Sequence, residues 1–133
     1  MTVVFLPTLE PNTPLTYVFT AGEDIAAKSP VCKSGADHSI LLASNTDWNR
    51  MPAFGVAVQS RVKGQAIEVV QFGEVENIQR DTDFDYDDLV FVGVDGKATR
   101  APLAPPQIVQ SIGRAKNASD VILLINQTAV EID

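Results

Sequence analysis

The sequence is poor in the residues from which most catalytic and metal sites are built. Its 133 residues include one cysteine, Cys32, and one histidine, His38. A single thiol excludes a disulfide within the chain and a zinc site made of thiolates, and we interpret Cys32 as a small buried hydrophobic residue. A single imidazole in the turn sequence GADHS argues against a catalytic triad or a histidine-based metal site. We expect no enzyme activity, no metal and no cofactor.

Positive charge is also scarce. Ten Lys and Arg residues are scattered among 17 Asp and Glu, which gives a net charge of -7. Binding to a phosphate backbone needs clustered basic residues, so nucleic acid is not an expected partner. No apolar run reaches the length of about 18 residues that a membrane span needs, and no charged segment precedes an apolar stretch as in a secretory leader. We expect no membrane partner and synthesis in a cytoplasm.

Turn-forming sequences recur at short intervals from Gly22 onward, among them AGED, KSGAD, SNTDWN, VDGK and KNASD. The runs between them, about four to eight residues rich in Val, Ile, Leu and Phe, are typical of strands. The spacing predicts an all-β fold over residues 21–133: a compact barrel or sandwich of short antiparallel strands. At most one short helix is expected, in windows 44–50 or 104–112.

Residues 1–20 form a different kind of segment. Pro7, Pro11 and Pro14 remove backbone donors and favour extended geometry, which predicts an extended N-terminal arm with at most an edge strand. Such an arm can add a strand to the exposed sheet edge of a partner, and its candidate partner-binding residues are Val3, Phe5, Leu6 and Leu9. An arm that covers the edge of its own barrel is the alternative.

The run AFGVAV, residues 53–58, is almost continuously apolar, which predicts a strand buried on both faces. The polar interval that follows, QSRVKGQ, reads as a hairpin tip in which Gly64 supplies a positive φ. A second strand, beginning near Ala66, completes the hairpin.

Two parts of the sequence resemble one another. The block SPVCKSGADHSILLA followed by AFGVAVQSRVKGQAIEVVQF returns as DLVFVGVDGKATRAP followed by SIGRAKNASDVILLI, and the glycines of the two x-Gly-x-Ala strands, Gly55 and Gly113, are 58 residues apart. The pattern predicts a duplicated four-strand unit. Chance similarity between β-rich segments is the alternative.

The acidic stretch DTDFDYDD, residues 81–88, begins like a calcium-binding loop but has Tyr86 where the loop needs glycine and Val92 where it needs glutamate. We interpret it as a solvated edge, with its aspartates outward and Phe84 and Tyr86 toward the core. A weak cation site is the alternative.

Two further features have a functional and a structural interpretation. Glu74 and Glu76 lie two apart on a predicted strand, but without an apolar pocket they fit an outer sheet face better than a glycosidase pair. Trp48 fits a cap on the core better than a stacking platform for a sugar.

The sequence AGEDIAAKSPVCKSGAD, followed by MPAFGVAVQSRVKGQAIEVVQFGEV, resembles small β-rich proteins of tailed bacteriophages, the capsid decoration (cement) and head-fibre base proteins. In that family a segment of the type A-G-E-x-I-A-A-G-x-x-V precedes a Gly-Val-Ala strand. The likeness runs from about Ala21 to Val75, with an echo in residues 88–125. It departs from the family at Lys28 and Ser29, where a glycine turn is common.

The resemblance implies a virion protein on the outer surface of a phage head, where it stabilises the capsid by bridging subunits of the major capsid protein. It also implies a homo-oligomer, with a trimer favoured. The same β module recurs in phage tail fibres and tailspikes. The alternative is therefore a receptor- or glycan-binding module that uses exposed aromatic residues such as Trp48 and Tyr86.

Overall fold

The structure is a computed structural model that describes residues 15–100, 107–126 and 128–132. Within these residues the only helical element is a single 3-10 turn, Trp48–Arg50, and none is long and apolar enough to span a membrane. The predicted all-β fold is confirmed. The described strands are β1 Leu15–Thr20, β2 Pro30–Lys33, β3 Ile40–Leu42, β4 Ala53–Ala57, β5 Ala66–Val75, β6 Leu89–Val92, β7 Ala98–Thr99, β8 Gln107–Val109, β9 Ser111–Ala115, β10 Val121–Leu124 and β11 Val130–Ile132.

Nine of these strands form one curled antiparallel sheet, a half-barrel, with the order β3-β2-β4-β5-β10-β9-β6-β7 and with β1 also paired to β5. Strands β8 and β11 form a separate two-stranded ribbon. The order reads the same from both ends, because β3-β2-β4-β5 is mirrored by β7-β6-β9-β10. Apart from β1, the sheet therefore consists of two four-strand units, as the internal likeness of the sequence predicted.

The two units agree in their irregularities as well as in their strand order. The β2–β4 ladder shifts register between Val31 and Cys32, and the β6–β9 ladder shifts between Val90 and Phe91. Gly55 and Gly113 occupy matching places beside these shifts. A Cβ atom would lie 2.7 Å from the Val70 carbonyl oxygen at the first and 2.2 Å from the Ile122 carbonyl oxygen at the second, so only glycine fits either position.

The turns that lead into the two units match too. Lys28 and Asp87 both have a positive φ, of 69° and 66°. The Lys28 N–H donates to the Ala57 carbonyl oxygen at 2.7 Å, and the Asp87 N–H donates to the Ala115 carbonyl oxygen at 2.8 Å. The phage proteins that the sequence resembles often carry glycine at the position of Lys28. A left-handed backbone at this position favours glycine.

Strand β5 is the strand on which the two units meet. Val69 lies opposite both Tyr17 of β1 and Ala57 of β4, and Phe72 lies opposite both Leu15 of β1 and Leu124 of β10. Because a strand residue has one neighbour on each edge, β1 follows one edge of β5 while β4 and β10 follow one another along the other edge.

Two apolar clusters lie on opposite faces of β4 and β5. Val56 and Val70 belong to the larger cluster, which joins residues of both units, whereas Ala57 and Val69 belong to the smaller one, which β1 and the segment around Ile25 help to cover. The predicted burial of the AFGVAV strand on both faces is confirmed. Gly64, at the predicted hairpin tip, has a φ of 91°.

The side chain of Gln110, which is 1% exposed, links the first unit to the second. Its Oε1 accepts from the Ala53 N–H at 2.8 Å, and its Nε2 donates to the carbonyl oxygens of Ala53 at 2.8 Å and Asn126 at 2.7 Å. This amide pairs with the start of β4 as a strand residue would. It closes the gap between the start of β4 and the end of the β10 segment.

The substitution Lys28→Gly is expected to raise the free energy of unfolding by roughly 0.5–1 kcal/mol, because glycine adopts a φ near 69° without the steric cost that a Cβ atom brings. Urea denaturation followed by tryptophan fluorescence measures the change. Lys28→Ala is the control, since it removes the same side chain but keeps the Cβ atom. Equal effects of the two substitutions would show that the backbone conformation is not the cause.

The substitution Gln110→Glu is expected to lower the free energy of unfolding by roughly 2–4 kcal/mol at pH 7.5, because an ionised carboxylate donates to neither carbonyl oxygen and is buried. Burial raises the pKa of such a carboxyl above its unfolded value of about 4.3. The folded state then binds the proton more tightly, so the loss relative to the native chain should shrink as the pH falls to about 5.

The matched control for Gln110→Glu is Gln79→Glu. Gln79 is exposed and donates to the Ala27 carbonyl oxygen at 3.2 Å, so this substitution should change stability little at either pH. Urea midpoints of both variants at the two pH values make the comparison. A Gln110→Glu protein as stable as the control at pH 7.5 would contradict the linking role of this amide.

Candidate interaction surface

The predicted arm contacts Val3, Phe5, Leu6 and Leu9 lie outside the described residues, as does everything before Leu15. The end of the predicted arm, residues 15–20, forms β1. Its register with β5 runs from Leu15 opposite Phe72 to Thr20 opposite Ala66 and skips Gln71, which makes a bulge in β5. The point at which the arm joins the sheet is therefore fixed beside Phe72.

Strand β1 is an edge strand within the described part of the chain, because no described strand pairs with its second edge. Tyr17 and Val18 are exposed, on opposite faces of the strand. Backbone groups along an unpaired edge are able to bond a further strand. This edge is one place where another chain can add to the sheet.

An apolar groove opens on the outside of the sheet where β4 begins and β10 ends. Its volume is about 360 Å³. Phe72 is 45% exposed and Leu124, directly opposite it, is 78% exposed. We call it the Phe72 groove; its lining includes Pro52, Phe54, Gln71, Phe72, Leu124 and Ile125.

The Phe72 groove exists because β4 and β10 share an edge of β5 without pairing with each other. Gln71 reaches across the gap and donates from Nε2 to the Phe54 carbonyl oxygen at 3.3 Å. Gln110 holds Ala53, on the buried side of the same gap, and so gives the groove a fixed floor. Clefts of about 300–1,000 Å³ with largely apolar linings are common binding sites in proteins.

One wall of the groove is held by an aromatic pair. The rings of Phe54 and Phe19 meet edge to face, with centroids 5.2 Å apart and planes at 84°. The Lys33 ammonium lies 4.9 Å from the centre of the Phe54 ring and 5.0 Å from that of Phe19. Such contacts restrict the rings, so Phe54 offers a preformed surface to an incoming apolar side chain.

Cys32 and His38, the single cysteine and the single histidine of the sequence, do not line the Phe72 groove. Cys32 is buried in the larger cluster, and burial raises the pKa of its thiol to about 11. The thiol is therefore protonated and unreactive at neutral pH, as expected of a buried hydrophobic residue. His38 is an exposed turn residue with a φ of 61°.

The interpretation of the acidic stretch was right for Phe84 and wrong for Tyr86. Phe84 is 4% exposed and belongs to the larger cluster, whereas Tyr86 is 80% exposed. Residues 81–88 form bends and turns, so the alternation of a strand does not apply to them. The side chain of Tyr86 consequently lies in solvent.

Three aspartates of this stretch form close ion pairs with arginines. Arg100 binds Asp85 at 2.6 Å and Asp88 at 3.0 Å, and Arg80 binds Asp83 at 2.8 Å. Over the described residues, no group of three or more His, Cys, Asp or Glu is placed to hold a metal ion.

The predicted shared strand face is wrong for Glu76, because β5 ends at Val75 and Glu76 lies in the bend that follows, whereas Glu74 lies on the strand. Glu74 accepts from the Lys116 ammonium at 2.6 Å, and Glu76 is exposed. The hydrogen bond and charge of Glu74 raise the pKa of Lys116. The Glu74–Lys116 ion pair joins β5 to the turn between β9 and β10.

Trp48 is about half exposed, so it covers the core only in part. With Lys33, Leu41 and Met51 it borders an open cavity of about 500 Å³. Tyr86 does not line this cavity. The two aromatic residues of the alternative hypothesis therefore do not converge on one site.

Another concavity, of about 510 Å³, lies between the segment around Ile25 and the hairpin tip. Polar groups along it are engaged within the fold. The Ser60 hydroxyl accepts from the Ala27 N–H at 2.9 Å, and the Asp24 carboxylate accepts from the Lys63 N–H at 3.0 Å. These bonds hold the loops together, which is a structural use of the residues.

The fold described above, a half-barrel of two related β units, places the chain among small all-β proteins. The sequence matches no protein-family model and no curated protein. Among solved structures, it is similar to the head fiber gp8.5 N base of bacteriophage phi29, with 20% identity and a TM-score of 0.53. The likeness covers 90% of this chain and 100% of that chain. At this identity it shows a shared fold.

Proposed function

We propose that this chain is a structural protein of a tailed-phage virion, which decorates the outer surface of the head and stabilises it. The observation that carries the proposal is the fold that the chain shares, over 90% of its length, with the base of a phage head fibre. The cement role is the finer part of the proposal. It comes from the likeness of residues 21–75 to decoration proteins and from a surface suited to association.

The proposed partners are the major capsid protein and further copies of this chain, with a trimer favoured. Two features of the described residues would be covered by association: the Phe72 groove and the edge of β1 with which no described strand pairs. Val3, Phe5, Leu6 and Leu9 are the proposed contacts of the arm. A net charge of -7 favours solubility of the protein that is not bound to a head.

Stabilisation in this proposal is a matter of mass action. A protein that binds the expanded capsid lattice, and not its dissociated or unexpanded form, raises the free energy of opening by RT ln(1 + [L]/Kd) at each site. The contribution of one site is small, but a head carries many. The role is structural and needs no bond-making step.

We expect the purified protein to co-sediment with matured heads that lack it, and to reach a plateau set by the number of lattice sites. Unexpanded shells of the same phage are the control and should bind little, because binding is coupled to the expanded lattice. Sedimentation followed by gel densitometry measures the copy number per head. Absence of the protein from the pellet at saturating concentration would contradict the cement role.

The half-exposed Trp48 beside an open cavity is the observation that favours a second candidate, a receptor- or glycan-binding module of a tail fibre. Stacking of a sugar on an indole changes its environment. A glycan array followed by titration of Trp48 fluorescence separates the two functions, since the cement role predicts no saturable change.

A further inference from the structure

We propose that the concavity between the segment around Ile25 and the hairpin tip binds a small uncharged ligand that has an apolar body and one hydroxyl group, as a phenol has. We call it the Ile25 concavity. The inference is independent of the proposed function, since this site shares no described lining residue with the Phe72 groove or with the cavity beside Trp48.

The hydroxyl of Ser29 is the polar group on which the proposal depends. Ser29 is 3% exposed, and it lines the Ile25 concavity. Its hydroxyl forms no hydrogen bond with any described residue, whereas the side chains of Ser60 and Asp24 along the same concavity bond the loops. A buried hydroxyl without a partner is unfavourable, so a ligand group that bonds Ser29 removes that cost.

The second unit of the sheet shows how the matching place is filled by the chain itself. Lys28 and Asp87 hold matching turns, so their neighbours in the chain match as well. The β2–β3 and β6–β7 ladders extend the match to β3 and β7. Three residues that line the Ile25 concavity therefore have charged counterparts in the second unit: Ala26 matches Asp85, Ser29 matches Asp88, and Leu42 matches Arg100.

These counterparts form ion pairs that the first unit is unable to form. Arg100 binds Asp85 at 2.6 Å and Asp88 at 3.0 Å. In the first unit the same three positions provide two apolar side chains and one hydroxyl, without any charge. The chemistry that fits there is therefore an apolar body with one group that bonds a hydroxyl.

The charges elsewhere in the lining also favour an uncharged ligand. Asp24 and Asp95 are balanced by Arg61 and Lys97. The Arg61 guanidinium is used within the hairpin, where it donates to two backbone carbonyl oxygens at 3.0 Å. A volume of about 510 Å³ with a few polar groups is typical of small-ligand sites. A phenol provides a ring for the apolar walls and a hydroxyl that both donates and accepts.

Titration of the ¹⁵N-labelled full chain with p-cresol tests the proposal by nuclear magnetic resonance. Saturable shifts are expected for the backbone amides of Ile25, Ser29 and Gly96, with a Kd of about 1 mM for a ligand of this size, and none for the Trp48 indole. 4-Methylbenzoate and 4-methylbenzylamine keep the same ring but carry a charge. Both should bind at least fivefold more weakly.

The substitution Ser29→Ala should weaken the binding of p-cresol roughly fivefold, because one neutral hydrogen bond is lost. The matched control is Ser34→Ala, which should leave the affinity unchanged, since Ser34 lines the cavity beside Trp48 instead. The variant Ala26→Asp/Ser29→Asp/Leu42→Arg copies the ion pairs of the second unit and should not bind p-cresol. Should this triple variant fail to fold, the comparison of the two alanine variants decides.

N-acetyl-tyrosinamide carries the same phenol on a peptide backbone and so distinguishes two sources of the ligand. Tighter binding than that of p-cresol assigns the site to a tyrosine side chain of a partner protein, and weaker binding assigns it to a free small molecule. No saturable shift with either probe, shifts at Trp48 instead, equal binding of the charged analogues, or unchanged affinity of Ser29→Ala would each overturn the proposal. Co-sedimentation with heads is a separate measurement, so the failure of one proposal leaves the other standing.

Discussion

The structure depends on how the sheet is closed where its two units meet. Strands β4 and β10 follow one another along a single edge of β5, and no backbone ladder joins them. The amide of Gln110 spans this gap with three hydrogen bonds to Ala53 and Asn126. A buried amide with all its groups bonded is stable in an apolar interior, whereas an incomplete set leaves backbone groups unpaired at a considerable cost. The same gap, closed on its buried side, remains open outside as the Phe72 groove.

The mirrored strand order follows from the two related four-strand units. Differences between the two units determine which strand faces are exposed. The two units share their register shifts, their glycines and their left-handed turns, yet they are covered differently. In the first unit Val56 faces the larger cluster and Ala57 the smaller, so both faces of β4 are buried. In the second unit the position that matches Val56 is Arg114, which is exposed and lies 3.7 Å from Asp87. Ala115, which matches Ala57, belongs to the larger cluster, and the smaller cluster contains no residue of the second unit among the described residues.

Much of the fold could be predicted from the sequence because its signals are local. Turn spacing gave the short strands, the continuous run AFGVAV gave a strand buried on both faces, and the repeated x-Gly-x-Ala pattern gave the duplication. The groove could not be predicted, because it arises where the distant strand β10 meets the β4–β5 hairpin and from a bulge at Gln71 that no local pattern marks. Gln110 reads as an ordinary polar residue beside a proline-rich stretch, and its role depends on Ala53, 57 residues away. Tyr86 was misplaced since a strand alternation was applied to a turn.

The proposed function requires that this chain associate with other chains. The most direct measurement of that claim is the mass of the protein in solution by sedimentation equilibrium, for the native chain and for Leu124→Glu. For the native chain the account predicts an oligomer, with three times the 14.3 kDa of one chain favoured. For Leu124→Glu it predicts the mass of a single chain at unchanged stability, because burying the new carboxylate in an interface without a partner charge is unfavourable. A native protein that remains a single chain at all concentrations, or a variant that keeps the native mass, would contradict it.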